Sequence, residues 1–304
     1  MINRSNFSFS GTRSLGLTLI ELLISMVIGL VVIGAVLVSM IGSGKGAKFQ
    51  AAYTQMNEDA QIGMSILSRD IKMAGYSNPT GYFDANSGSV PAVTPSWVLS
   101  FTNFTGTFVF GCDTSFAAPG AAVLACGPAT ATTAAIEVVY EADLRDVALV
   151  GGVPSSCIGT TLGASAPFIA RNRYFVANGP SGRPELQCAN NAGLSESIVE
   201  NVEDMQVLYG LSLTPPVPPA IPPPPQVVRY APASLIAAAA PPQWGNVLSV
   251  RICLLVRSAD PVLDVGVRED SVSYADCNGT TQSSPDRRLR RAYFMTAAIR
   301  SQMP

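Results

Sequence analysis

Residues 17–41 run for 25 positions with Glu21 as the sole charge. As a helix rising 1.5 Å per residue, such a segment extends about 37 Å, enough to cross the ~30 Å hydrocarbon core of a bilayer. The segment is therefore read as a membrane anchor. A secretory signal peptide would have an apolar region of about 7 to 15 residues and a small-residue cleavage site. Ser39-Met40-Ile41-Gly42 is a poor candidate for that site.

The rest of the chain narrows the possibilities. Of 304 residues, 48% are hydrophobic and 13% charged, too apolar and too weakly charged for a disordered chain. The length allows one large domain or two small ones. Nineteen cations against twenty-one anions produce no global field, so nucleic acid or an anionic membrane surface would have to find a local patch. Histidine is absent, which excludes Ser-His-Asp and Cys-His catalysis, histidine metal ligands and histidine pH switches.

Arg4 and Arg13 before the anchor are matched by Lys45 and Lys48 after it, so the positive-inside count does not orient it. The cysteines do. Cys112, Cys126, Cys157, Cys188, Cys253 and Cys277 all follow the anchor, with no CxxC spacing. An even, widely spaced set reads as disulfides in an oxidising compartment, placing the amino terminus in the cytoplasm and the body in a periplasm or outside the cell. Six cysteines allow 15 connectivities. Sequential pairing, Cys112 with Cys126, Cys157 with Cys188 and Cys253 with Cys277, would staple neighbouring loops or strand ends and is the expectation.

An acid inside an apolar helix costs up to ~3 kcal/mol at the bilayer centre and less near its end, where Glu21 lies. The bland reading is a tolerated interfacial carboxylate. Its neighbours say more: Gly16-Leu17-Thr18-Leu19-Ile20-Glu21, behind a short polar stretch with Arg13, resembles the type III signal of type IV prepilins and pseudopilins. The resemblance implies cleavage by prepilin peptidase between Gly16 and Leu17 on the cytoplasmic face. Leu17, where such families usually carry phenylalanine, becomes the N-methylated terminus, and Glu21 the fifth mature residue. In a bundle of such helices a buried carboxylate requires a cation, which a neighbouring subunit's terminal amine supplies, setting axial register.

Residues 1–16 are thus expected to be a leader, 17–42 a transmembrane and assembly helix, and 43–76 a glycine hinge followed by an amphipathic helix. Gly42, Gly44 and Gly46 would bend or loosen the helix. Beyond them Phe49, Tyr53, Met56, Ala60, Met64, Leu67, Ile71 and Ala74 recur every three or four residues, and Gly75 is a stop. Residues 77–304 read as a β-rich head with long loops and short strands. The clearest strand is Val247 to Arg257, with Leu248, Val250, Ile252, Leu254 and Val256 on one face and Ser249, Arg251 and Arg257 on the other. Ile136–Tyr140, Tyr174–Val176, Val202–Tyr209 and Tyr293–Ile299 are further candidates. Residues 211–243 read as an exposed insertion loop, with eight prolines between Pro215 and Pro225 and an alanine run at 237–240. The fold class is α+β: a long N-terminal helix on an antiparallel β-rich head.

Within the head, Arg173–Val176, Ile198–Gly210, Val247–Ser258 and Arg290–Arg300 look like PilW-type minor pilins of type IV pilus systems. That resemblance implies a low-copy structural subunit without cofactor or metal. It would assemble with other minor pilins and the major pilin into an initiating or tip complex, act with the inner-membrane assembly platform, and often present a tip adhesin. It would sit in the inner membrane before assembly and at the pilus tip afterwards. The alternatives are a pseudopilin of a type II secretion system and, more remotely, an anchored periplasmic enzyme. Glu137, Glu141, Glu203 and Asp204 are the carboxylates the enzyme would use, but their spacing supplies no acid/base geometry. The run Asp286-Arg287-Arg288-Leu289-Arg290-Arg291 is basic, but an extended chain would divide it between two faces, which argues against nucleic-acid binding. Asp260, Asp264, Glu269 and Asp270 lack the order of an EF-hand loop.

Overall fold

A computed structural model of the chain describes residues 16, 18–77, 107–142, 149–164, 167–190, 192–212, 226–263 and 273–303. Two compact units are present, residues 1–50 and 51–304. Helix α1 (Leu19–Met73) contributes to both. In the first unit the residues of α1 whose burial is described are exposed, apart from a half-buried Gly29. Gly42, Gly44 and Gly46 lie within α1 and do not interrupt its hydrogen-bonded run.

In the second unit the apolar spacing becomes a buried stripe. Met56, Ala60, Leu67, Ile71 and Ala74 are buried, and Tyr53 and Met64 partly so, whereas Phe49, at the end of the first unit, is exposed. Gly63 lies on this stripe where the side chains of the two sheets approach closely. A Cβ there would stand 3.2 Å from the Leu254 side chain and 3.4 Å from that of Leu186. Gly75 ends the helix with φ of +71°, a conformation that favours glycine, and its N–H donates to the Val139 carbonyl at 2.9 Å.

Two antiparallel sheets cover the stripe. The first has five strands in the order β1 (Val109–Cys112), β2 (Ala135–Glu141), β5 (Ile169–Asn178), β6 (Pro184–Ala189), β7 (Ser195–Glu200). The second has four, β13 (Arg290–Ala298), β10 (Val247–Arg257), β8 (Val202–Leu211), β9 (Arg229–Ala231). Small hairpins form from β3 (Leu149–Val150) with β4 (Val153–Pro154), and β11 (Ser273–Ala275) with β12 (Thr281–Ser283). A shared core joins α1 residues such as Leu67 and Ile71 to Ile136 and Tyr174 of the first sheet and Ile252 and Leu254 of the second.

Strand β10 is the central support, flanked by β8 and β13. Its alternation predicts one apolar and one polar face, yet Ser249, Cys253 and Leu255 are buried too and only Arg251 is exposed. The second face is covered in part by Cys277, joined to Cys253 across a Cα separation of 5.7 Å. The other disulfides join Cys112 to Cys126 and Cys157 to Cys188.

Pro215–Pro225 lies outside the described residues. Downstream, the stretch read as an open loop carries structure of its own: β9 pairs with β8, and the short helix Ala233–Ala237 buries Ile236. The Asp113 carboxylate accepts from the N–H groups of Ala233 and Ser234 at 2.6 and 3.0 Å, satisfying donors that a helix start leaves open.

Candidate functional site

The amino-terminal segment is a bare apolar helix with one anion. Thr18 opens it: its carbonyl accepts from the N–H groups of Glu21 and Leu22 at 3.1 and 3.2 Å, and its hydroxyl lies 3.4 Å from the Glu21 nitrogen. Leu19–Met40 has a mean hydropathy of 2.8 and none of it is buried. Glu21 sits in the first turn, where the unpaired N–H groups favour a carboxylate, and its side chain is exposed. Gly16 is exposed with open space around it. Leu17 lies outside the described residues. An apolar helix open on all sides requires cover from lipid or from other helices, and its one acid then requires a cation.

A second acid on α1 has the opposite surroundings. Asp70 falls on the stripe between Leu67 and Ile71 and is fully buried. Its carboxylate accepts from Tyr174 Oη and Asn172 Nδ2, both at 2.6 Å, and from Tyr140 Oη at 3.4 Å. Asn172 Oδ1 in turn accepts from the Cys157 N–H at 3.1 Å, and Cys188, the disulfide partner of Cys157, lies opposite Tyr174 in the β5–β6 register. Burial raises the Asp70 pKa above the usual carboxylate range, against the lowering effect of the Tyr174 and Asn172 hydrogen bonds and of Arg69. Burial likewise raises both tyrosines, keeping their hydroxyls protonated as donors. This cluster fastens α1 to β2 and β5. The sequence reading missed it, although an acid three residues after Leu67 on an apolar stripe was a signal for it.

The carboxylates considered for catalysis serve as structural partners. Glu137 pairs with the buried Arg173 at 3.0 Å, and Arg173 also donates to the Pro119 and Ala121 carbonyls. Glu141 accepts from Ser77 Oγ at 2.7 Å, and Asp204 from Gln206. Glu203 receives Arg257 at 3.1 Å and Arg290 at 2.6 Å. Arg290 also meets Asp286 at 2.6 Å, and this hydrogen bond, outweighing partial burial, holds the Asp286 carboxyl well below its usual range. Arg288 donates to the Ser258 and Ala259 carbonyls, and Arg291 to Tyr53. The arginine run is thus spread over separate local contacts, and it is not one extended strand, since β13 begins at Arg290. Asp264, Glu269 and Asp270 lie outside the described residues, and among the described residues no group of three His, Cys, Asp or Glu side chains could hold a metal.

Residues 173–301 match the family model described as Type IV Pilus-assembly protein W, and residues 11–37 match the prokaryotic N-terminal methylation motif. No curated protein matches the chain. Among solved structures, a type IV-like pilin from Thermus thermophilus is similar at 12% identity and a TM-score of 0.38, over 82% of this chain and 99% of that one. In this chain the methylation motif covers the start of the apolar helix and the pilus-assembly match runs from β5 to the last turn of the head, the two marks of a type IV pilin-like protein with a PilW domain.

Proposed function

We propose that the protein is a low-copy structural subunit that primes type IV pilus assembly and forms part of the initiating or tip complex. Prepilin peptidase removes residues 1–16 by cutting between Gly16 and Leu17 on the cytoplasmic side, and the new Leu17 terminus is methylated. Until assembly the chain spans the inner membrane once, with a periplasmic head; afterwards it stands at the pilus tip. Its partners are other minor pilins, the major pilin, the inner-membrane assembly platform and a tip adhesin.

The observation that carries this reading is the exposed apolar run Leu19–Met40 with Glu21 in its first turn. Lipid satisfies the apolar surface of a monomer, while a helical bundle satisfies both that surface and, through a neighbour's terminal amine, the carboxylate. The description of the matched family as pilus assembly supports a pilus over a secretion pseudopilus.

The test is intact-mass and amino-terminal analysis of protein extracted from membranes and from sheared fibres. The expected species lacks residues 1–16, carries one methyl group on Leu17 and is present in the fibres. An intact Met1, cleavage near Gly42, or fibres free of the protein would overturn the reading.

A further inference from the structure

Beside the last two turns of α1 the head has a cleft of about 670 Å³ that the assembly reading does not use. One wall is a single face of α1, where Ser65, Arg69 and Lys72 follow one another at helical spacing, with Tyr76 just beyond the Gly75 stop; the other is Arg300 and Ser301 of the carboxy-terminal turn. That turn is fastened in place. Ile299 is buried and its N–H donates to the Leu248 carbonyl at 2.9 Å, and Ser301 Oγ donates to the Ala74 carbonyl at 2.7 Å.

The cleft gathers three cations. Lys72 and Arg300 are exposed, with no carboxylate within ion-pair distance among the described residues. Arg69 is 3.7 Å from Asp70, whose oxygens already serve Tyr174 and Asn172, and its side chain is 55% exposed. Elsewhere on the head Arg173, Arg257, Arg288 and Arg290 each meet an acid. Here Lys72 and Arg300 stand together without an acid among the described residues.

We infer that this cleft binds an acidic, partly apolar peptide segment of a neighbouring pilus subunit. Ser65 to Lys72 spans about 10 Å of helix, the length of roughly three extended residues and more than one phosphate or carboxylate covers. Met73 and the Tyr76 ring add apolar surface between the cations. The Ser65 and Ser301 hydroxyls already donate to the Ile62 and Ala74 carbonyls, so they offer a ligand only acceptor lone pairs. A peptide main chain has an N–H at each residue to give to both hydroxyls along the cleft, whereas a phosphodiester has no donor and inorganic phosphate has only the O–H groups of a single centre. The inference rests on the minor-pilin reading for the partner's identity but not for the cleft's chemistry. Loss of peptide binding would leave cleavage at Gly16 unchanged, and loss of cleavage would leave the cleft intact.

The test uses the full chain in detergent micelles and a fluorescent, end-blocked five-residue peptide alternating glutamate and leucine. Saturable binding is expected, weakened at least tenfold when glutamine replaces the glutamates and at least tenfold by the double variant Lys72→Ala, Arg300→Ala. Binding should be retained by Lys72→Arg, Arg300→Lys. Both positions are exposed, so an unchanged urea midpoint verifies folding. The inference is overturned if the peptide fails to bind, if the alanine variant binds it equally, or if inorganic phosphate or a short single-stranded DNA binds more tightly with the same residue dependence.

Discussion

Glu21 and Asp70 are acids on one helix, and the fold treats them in opposite ways. Glu21 stands exposed in an apolar segment that buries nothing, and the hydrogen bonds at its position involve its backbone nitrogen. Asp70 is fully buried and receives three side-chain donors from β2 and β5 of the first sheet. A carboxylate cannot be taken from water without partners. The head supplies them from within one chain, whereas in the function proposed above the apolar helix takes its cation from a neighbouring subunit.

The sharpest way to break this comparison is Asp70→Leu. It removes the common acceptor of Tyr140, Asn172 and Tyr174, leaving both buried hydroxyls without it and Asn172 Nδ2 with only Tyr140 Oη, at a cost of about 3 to 5 kcal/mol. Urea unfolding followed by tryptophan fluorescence reads the loss, and a change below about 1 kcal/mol would show that the cluster does not hold α1 to the sheets.

A smaller effect is expected from Asp70→Asn, which keeps the shape and can both accept and donate, at about 1 kcal/mol or less. Its diagnostic is pH. Because burial raises the folded-state pKa of Asp70, the folded chain holds this proton more tightly than the unfolded chain. Its contribution to stability is therefore full below the unfolded value of about 3.9 and declines as pH rises through the raised folded value. The asparagine variant should lose that component, so the stability difference between the two proteins should change across this window and level off above it. A pH-independent difference would contradict the argument.

The smallest effect on folding is expected at Glu21. Glu21→Ala should leave the unfolding free energy of the head, read by urea, within about 0.5 kcal/mol, because an exposed side chain outside the core has no folded partner to lose. Export and membrane insertion should also persist, while incorporation into fibres falls. A variant that destabilised the head, or that entered fibres normally, would erase the contrast with Asp70.

Much of this molecule was legible from local pattern. The apolar run shows itself by length, the docking stripe by its spacing, and β10 by alternation whose bounds, Val247 and Arg257, are those of the strand. β6 and β7 were missed because their sequences are interrupted by polar residues such as Gln187, Ser195 and Glu196. Their strand character comes from pairing with neighbours, not from their own periodicity. The burial of β10's second face was hidden for the same reason, since its cover arrives through Cys277 on a separate hairpin.

The amino-acid order alone determined that this chain has an apolar anchor with one acid, an amphipathic helix and a β-rich head, because those features depend on residues a few positions apart. Which cysteines pair, which carboxylates meet which arginines, and that Asp70, Tyr140, Asn172 and Tyr174 share one buried site were decided only by the tertiary structure. Asp70 and Asn172 lie 102 residues apart. No local preference brings such groups together; the packing of a helix against two sheets does.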